Sequence, residues 1–261
     1  MTPRSYLFVP GNRPERFDKA LASAADAVIV DLEDAVPPDQ KIAARELVGA
    51  WLSAERPVIV RINAADTPWH ADDVALCRRP GVAAVMVAKA ERAEALAGLG
   101  LNLPLLPLIE SAAGVDQLRA IAAVPGVQRL AFGAIDFQLD LNMRAEFDEL
   151  IHFRSQIVLA SRLAGIASPI DSPSVAITEE AEVEHDAQRA RRLGFGAKLC
   201  IHPQQLAAVN RSFSPSATEI AWARRVLEIA AASGGAAVAL DGRMIDKPVI
   251  LRAQAILAEV R

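Results

Sequence analysis

The sequence predicts an α/β fold, a closed TIM-type (β/α)8 barrel with a C-terminal helical appendage, on three observations. Eight short apolar or β-branched runs alternate with stretches of helical periodicity, the mark of parallel strands joined by crossover helices. Polar or special residues stand at the carboxyl end of nearly every run, as they do where barrel strands converge on one face. A length of 261 residues is near that of a single complete barrel.

The runs cover residues 5–9, 27–32, 57–62, 82–88, 103–109, 129–133, 165–170 and 196–201. They lead in order into Pro10-Gly11-Asn12, Asp31 with Glu33 and Asp34, Arg61 and Asn63, Lys89, Glu110, Asp136, Asp171 and His202. Between them, amphipathic spacing predicts helices over 13–24, 39–53, 112–123, 146–163 and 178–193, with a shorter one over 91–99. The helix over 178–193 is expected to open on a Thr178 cap, with acidic residues in its first turn. Helical text over 203–210 and 216–231, a Gly-Gly turn at Gly234 and a helix over 248–260 exceed what a barrel needs. The expected division is therefore a barrel over 1–212, followed by C-terminal helices and a lid over 213–261 that pack on the barrel or on a neighbouring subunit.

Composition narrows the function classes. Hydrophobic residues at 52% with only 5% aromatics indicate a core of Ala, Val, Leu and Ile. The balance of 28 basic to 32 acidic side chains lacks the positive excess that phosphate neutralisation requires, so nucleic acid is not an expected partner. No stretch approaches the length of a membrane span. The apolar run after Met1–Arg4 is too short for a signal-peptide core, so no membrane partner and a cytoplasmic location are expected. Cys77 and Cys200 match no metal or redox spacing and read as buried thiols.

The rim residues suggest chemistry. Glu110 and Asp136 end successive runs, and two oxygen ligands side by side suit a hard cation such as Mg²⁺ or Mn²⁺, which keeps waters and takes substrate oxygens. Alternatively each caps a helix or pairs with an Arg. Asp31-Leu32-Glu33-Asp34 places three acids in four residues after a buried strand, a repulsion that needs cationic partners. Which acid points inward is left open, and Asp34 can bond the waters of a metal. Arg61 is a guanidinium in an apolar strand; it either pairs with these acids or receives a substrate oxyanion, and the two are compatible. Lys89 offers a Schiff base in principle, but the acid-rich rim favours a charged amine. His202 reads as a cap.

Together, Arg4-Ser5-Tyr6-Leu7-Phe8-Val9-Pro10-Gly11, Asp31-Leu32-Glu33-Asp34-Ala35-Val36, Val60-Arg61-Ile62-Asn63, Leu108-Ile109-Glu110-Ser111 and the stretch 196–203 resemble the citrate lyase β-subunit-like family. That family groups with the HpcH/HpaI aldolases and the malyl-, citramalyl- and citryl-thioester lyases. The resemblance implies a homotrimeric barrel, with Mg²⁺ on Glu110 and Asp136 binding a 2-oxo acid such as oxaloacetate, glyoxylate or pyruvate. It also implies an acyl thioester, of coenzyme A or an acyl carrier protein, as the other substrate. By the same resemblance Arg61 and Asp34 are catalytic, and Arg61, Glu33, Gly133 and Ala134 contact substrate. The segment 240–248 resembles the family's lid, whose aspartate, here Asp246, reaches a neighbouring subunit's site as acid or base.

The implied reaction is cleavage or formation of a carbon–carbon bond in a 3-hydroxyacyl thioester. The alternatives are a metal-dependent hydroxyacyl-thioester hydrolase and a non-catalytic subunit of a lyase complex. Two departures stand out: Ile135 where relatives often carry an acidic or amide residue, and Asp171-Ser172-Pro173-Ser174, which matches no thioester-binding pattern.

Overall fold

All eight apolar runs become strands. The computed structural model describes residues 2–145, 147–232, 238–240 and 243–260. In it β1 (Ser5–Pro10), β2 (Ala27–Asp31), β3 (Val58–Ile62), β4 (Val82–Val87), β5 (Leu105–Ile109), β6 (Arg129–Phe132), β7 (Ala167–Asp171) and β8 (Ala197–Cys200) pair in parallel, in chain order. β8 returns to β1, with Lys198 opposite Ser5, and closes the barrel. Closure removes both sheet edges, and helices on the outside let every strand be apolar on both faces.

The barrel interior is an apolar cluster that takes alternate residues from each strand, including Tyr6, Ile29, Ile59, Met86, Leu106, Ala131, Ile170 and Leu199. Successive strand side chains point to opposite faces, so the residues between these face the helix layer. Asp171 is one of them. It is not part of the converging rim, as its strand-end position suggests, but lies fully buried between Lys198 (2.9 Å) and Arg154 (3.1 Å) of the helix Ile151–Leu163. Burial opposes its charge, but the two cations outweigh that and hold its carboxyl below the usual carboxylate range. This triad bolts β7, β8 and the outer helix together.

Several helices differ from expectation for local reasons. Pro14 and Pro38 fix short 3₁₀ turns, Pro14–Arg16 and Pro38–Gln40, ahead of Phe17–Leu21 and Lys41–Trp51. The stretch over 112–123 breaks at Gln117 into Ala112–Asp116 and Leu118–Ala122. The helix expected over 146–163 begins at Ile151. Thr178 is not the cap of the next helix: its hydroxyl donates to Glu179 Oε1, and Glu179 holds the N-cap position of Glu180–Leu193 without a side-chain bond. Gly194, at φ +103°, ends that helix in the left-handed conformation glycine tolerates. Two seven-residue helices, His70–Leu76 and Ala134–Asp140, are too short to announce themselves by periodicity.

The chain divides into two compact units, Met1–Val209 and Asn210–Arg261, the division falling inside the helix Leu206–Ser212. In the second unit Ala217–Ala232 packs on Lys247–Ala258 through Ala223, Val226, Ala253 and Ile256, with Ile245 in the same cluster. A short antiparallel pair, Val238–Leu240 with Arg243–Ile245, belongs to this unit. The turn at Gly234 and the pair Asp241-Gly242 lie outside the described residues. Among those that are described, no helix is long and apolar enough to cross a membrane. Cys77 and Cys200 are buried free thiols, each pushed by burial up to about 12.

Candidate active site

Counting by twos along the inward-facing residues leads directly to the rim. Tyr6 is followed on the same face by Phe8, Ile29 by Asp31, Ile59 by Arg61, Leu108 by Glu110, Ala131 by Gly133 and Leu199 by Ile201. All six of these successors line one cavity of about 290 Å³ at the carboxyl ends of the strands, and Asp34, Ile135, Asp136 and Ser172 contribute to the same wall. The alternation that packs the core thus delivers the polar side chains.

Arg61 is the electrostatic centre. It stands opposite Asp31 in the β2–β3 register and grips it with two hydrogen bonds, Nε to Oδ1 at 2.7 Å and Nη2 to Oδ2 at 2.6 Å. Its Nη1 lies 3.1 Å from Glu33 Oε2 and 3.3 Å from Asp34 Oδ2. The guanidinium sits over the Phe8 ring, 4.7 Å from its centroid. Burial alone would lower the pKa of Arg61, but the charges of Asp31, Glu33 and Asp34 raise it above its ordinary value. The acid that points inward at full burial is Asp31, which also accepts the backbone N–H groups of Glu33 and Ala35 and so shapes the turn after β2. Glu33 is buried and burial pushes it up to about 7, while the Asp34 side chain is half exposed at the mouth.

Behind this cluster Lys41 donates to the carbonyls of Leu32 (3.0 Å) and Glu33 (2.7 Å) and to Asn63 Oδ1 (2.7 Å). Asn63, in turn, donates to Leu32 O and to Asp73 Oδ2. The acidic turn is therefore held by cations on both sides.

Glu110 follows β5 immediately before Ser111, whose Oγ accepts from Gly114 N at 3.2 Å and caps Ala112–Asp116. Glu110 is thus not the cap. Its Oε1 accepts the Lys89 backbone N–H at 2.7 Å, an N–H aimed by the positive φ (47°) of Lys89, and its Oε2 is buried without any hydrogen-bond partner. Burial pushes Glu110 up to about 8, against the favourable Lys89 N–H and Arg61 charge. Asp136 does not hang from the strand end; it occupies the first turn of Ala134–Asp140, where the helix dipole favours its charge. Burial, then the Asp34 charge, raises its pKa.

A buried carboxylate oxygen with nothing to accept from is costly unless a proton or a cation meets it. Space is kept for that partner: a Cβ at Gly133 would stand 2.6 Å from Glu110 Oε2. Among the described residues no cluster of three or more His, Cys, Asp or Glu side chains could hold a metal. The donor set, Glu110 and Asp136, fits a hard cation that takes one or two protein carboxylates and completes its shell with water and substrate.

Of the residues the sequence singles out, Arg61, Asp34, Glu110, Asp136 and Gly133 line the cavity, whereas Glu33 and Ala134 do not. Ala134 N–H is already donated to Ser172 Oγ at 3.1 Å. Lys89 is exposed and outside the wall. His202 caps Pro203–Gln205, its Nδ1 accepting from Gln204 N. Asp246 lies in the C-terminal unit, exposed, where its Oδ1 accepts from Val249 N at 3.3 Å and caps the last helix. Sequence reasoning misses the structural role of Asp31 and the lining role of Phe8 and Ser172; the two-residue count along each strand is the signal that finds Asp31 and Phe8.

A family model, HpcH/HpaI aldolase/citrate lyase, matches residues 4–203. The citrate lyase subunit beta-like protein of Deinococcus radiodurans is 37% identical over 98% of this chain and 96% of its own length. The (3S)-malyl-CoA thioesterase of Cereibacter sphaeroides is 34% identical over 98% of this chain and 94% of its own. The crystal structure of CitE from Mycobacterium tuberculosis in complex with magnesium, acetoacetate and coenzyme A superposes with a TM-score of 0.90, at 36% identity, covering 98% of this chain and 97% of that one.

Proposed function

The chain belongs to the HpcH/HpaI aldolase/citrate lyase family, and from that premise we propose that it is a Mg²⁺-dependent carbon–carbon lyase, cleaving or forming a 3-hydroxyacyl thioester of coenzyme A. The products of cleavage are a 2-oxo acid and an acetyl-type thioester. The observation that carries this reading is the unpartnered Glu110 Oε2, buried beside Asp136 in an acid-lined cavity at the barrel's carboxyl end.

Glu110 and Asp136 would hold the cation, Mg²⁺ or equally Mn²⁺, which when bound supplies Lewis-acid polarisation of the substrate's oxo or alkoxide oxygen. Arg61, kept rigid by Asp31, places positive charge beside the cavity where the thioester enolate develops its negative charge. Asp34, at the mouth, orients water and substrate through its exposed carboxylate. Gly133 lets substrate approach Glu110 without a side chain in the way, and Glu33 and Ala134 support the turns that carry these groups. Asp246, reaching the site of a neighbouring subunit in a homotrimer, takes the hydroxyl proton in cleavage; the carbon–carbon bond then breaks to release the 2-oxo acid, and the protonated Asp246 returns that proton to the acetyl-type enolate. A cytoplasmic location belongs to the same reading.

Hydrolysis is the second reading, favoured by the similarity to the (3S)-malyl-CoA thioesterase. One assay separates the two. Incubated with Mg²⁺ and malyl-, citramalyl- or citryl-coenzyme A, the lyase yields a 2-oxo acid and acetyl-coenzyme A in equal amounts. The hydrolase yields free coenzyme A and a hydroxy acid, and a non-catalytic subunit yields neither.

A pH dependence follows from Glu110. Its carboxyl, raised to about 8 in the metal-free protein, is protonated below that pH, and cation binding must displace the proton. Affinity for Mg²⁺ is therefore expected to rise by up to about tenfold per pH unit as pH approaches 8 from below, then level off. Because the folded pKa lies above the unfolded value of 4.5, the metal-free fold loses stability as pH rises between those two values. Mg²⁺ titration by calorimetry from pH 6 to 9 reads the first effect.

A further inference from the structure

The cavity wall is unevenly equipped. Its polar side consists of Asp31, Asp34, Glu110 and Asp136 with Ser172, and Arg61 is its one cation among the described residues. That cation is already shared by Asp31, Glu33 and Asp34, with both terminal nitrogens and Nε engaged. The rest of the wall is apolar: Phe8, Leu108, Ile135, Pro173, Leu199 and Ile201 are its larger members. Ile135, the neighbour of Asp136, is 52% exposed and Ile201 is 45% exposed, an unusual outlay of apolar surface at the mouth of a polar site. Lys89, whose charge reaches Asp136, is exposed and outside the wall.

A cation on Glu110 and Asp136 has charge to offer one carboxylate of a bound acid. A second carboxylate on that acid would face Ile135 and Ile201, or the surrounding acids, and among the described residues of the wall no second cation stands beside Arg61 to receive it. Because Ile135 and Ile201 are half exposed, a carboxylate against them loses part of its hydration and gains no compensating charge, which disfavours it. A methyl group in the same place gains contact with the two isoleucines.

We propose that this cavity selects a short 2-oxo acid with one carboxylate, of the pyruvate kind, over a dicarboxylic one of the oxaloacetate kind, and that Ile135 is a determinant of that choice. The inference rests on the metal-dependent oxo-acid site proposed above.

Calorimetric titration of the full chain with pyruvate and with freshly dissolved oxaloacetate, each in Mg²⁺, tests it, together with the Ile135→Lys variant. The wild-type protein is expected to bind pyruvate at least tenfold more tightly than oxaloacetate. Ile135→Lys, a change at a half-exposed position, is expected to shift that ratio at least tenfold towards oxaloacetate while retaining Mg²⁺-dependent pyruvate binding as the sign that the cation site is intact. Equal or tighter binding of oxaloacetate by the wild type would overturn the selectivity and leave the metal-site reading standing. An unchanged ratio in a variant that still binds pyruvate would overturn the role of Ile135. Absence of Mg²⁺-dependent binding of either acid to the wild type would overturn the site reading and this inference with it.

Discussion

With the site as proposed, Glu110→Gln is expected to lower Mg²⁺-dependent turnover by at least about 10³-fold, because it would remove one of the two proposed anionic donors and the cation's stabilisation of developing charge is worth several kcal/mol. The same change should not weaken the metal-free fold. A glutamine carbonyl can still accept the Lys89 N–H, and the substitution removes a carboxyl whose ionised form is penalised by burial. Above pH 8 the metal-free variant should therefore unfold at the same temperature as the wild type or higher. The two proteins are told apart by adding Mg²⁺: the wild type gains thermal stability, as any protein does whose folded state alone binds a ligand, and the variant gains little. A variant that keeps its turnover would remove Glu110 from the cation site.

Arg61→Met is expected to cost about 3–5 kcal/mol of stability, the usual penalty for removing one partner of a buried ion pair and stranding the other. The stranded group is Asp31, fully buried, with Glu33 also buried beside it. Arg61→Lys keeps the charge, but a single ammonium cannot grip both Asp31 oxygens as the fork does, so an intermediate loss is expected. Urea unfolding at neutral pH reads both. Equal stability of Arg61→Met and the wild type would mean that the acidic turn finds its compensation elsewhere, with Lys41 the first candidate. Activity should fall in either variant, since the groups that line the cavity depend on where this turn sits.

How much of this was legible in the sequence differs from element to element. The eight strands were, because short apolar runs with polar punctuation have few other interpretations. The pair proposed to hold the cation was half legible in its placement. Glu110 sits one residue past a strand, whereas Asp136 rides on a seven-residue helix whose period is too short to detect, so its setting at a helix amino end came only with the structure. The acidic cluster illustrates a different gap. Three acids in four residues signal a cationic partner, and Arg61 was visible as one, but the choice of Asp31 as its inward anchor depends on strand parity and on the register that sets Asp31 beside Arg61. Asp171 misled for the same reason: it ends a strand like the others but faces the helices, where Lys198 and Arg154 absorb its charge. Thr178 looked like a cap from residue type alone, and a neighbouring glutamate claimed its hydroxyl.

The pairing of Ser5 with Lys198 has a kinetic side. Phe8 and Ile201 share one cavity wall although almost the whole barrel sequence separates them, so the site does not exist until the eighth strand is available to meet the first. Contacts this distant in sequence are slow to form, since the entropy of closing the loop must be met before they contribute anything in return. A sheet of the first seven strands alone has two open edges, so the acquisition of a working site should coincide with ring closure rather than build up strand by strand.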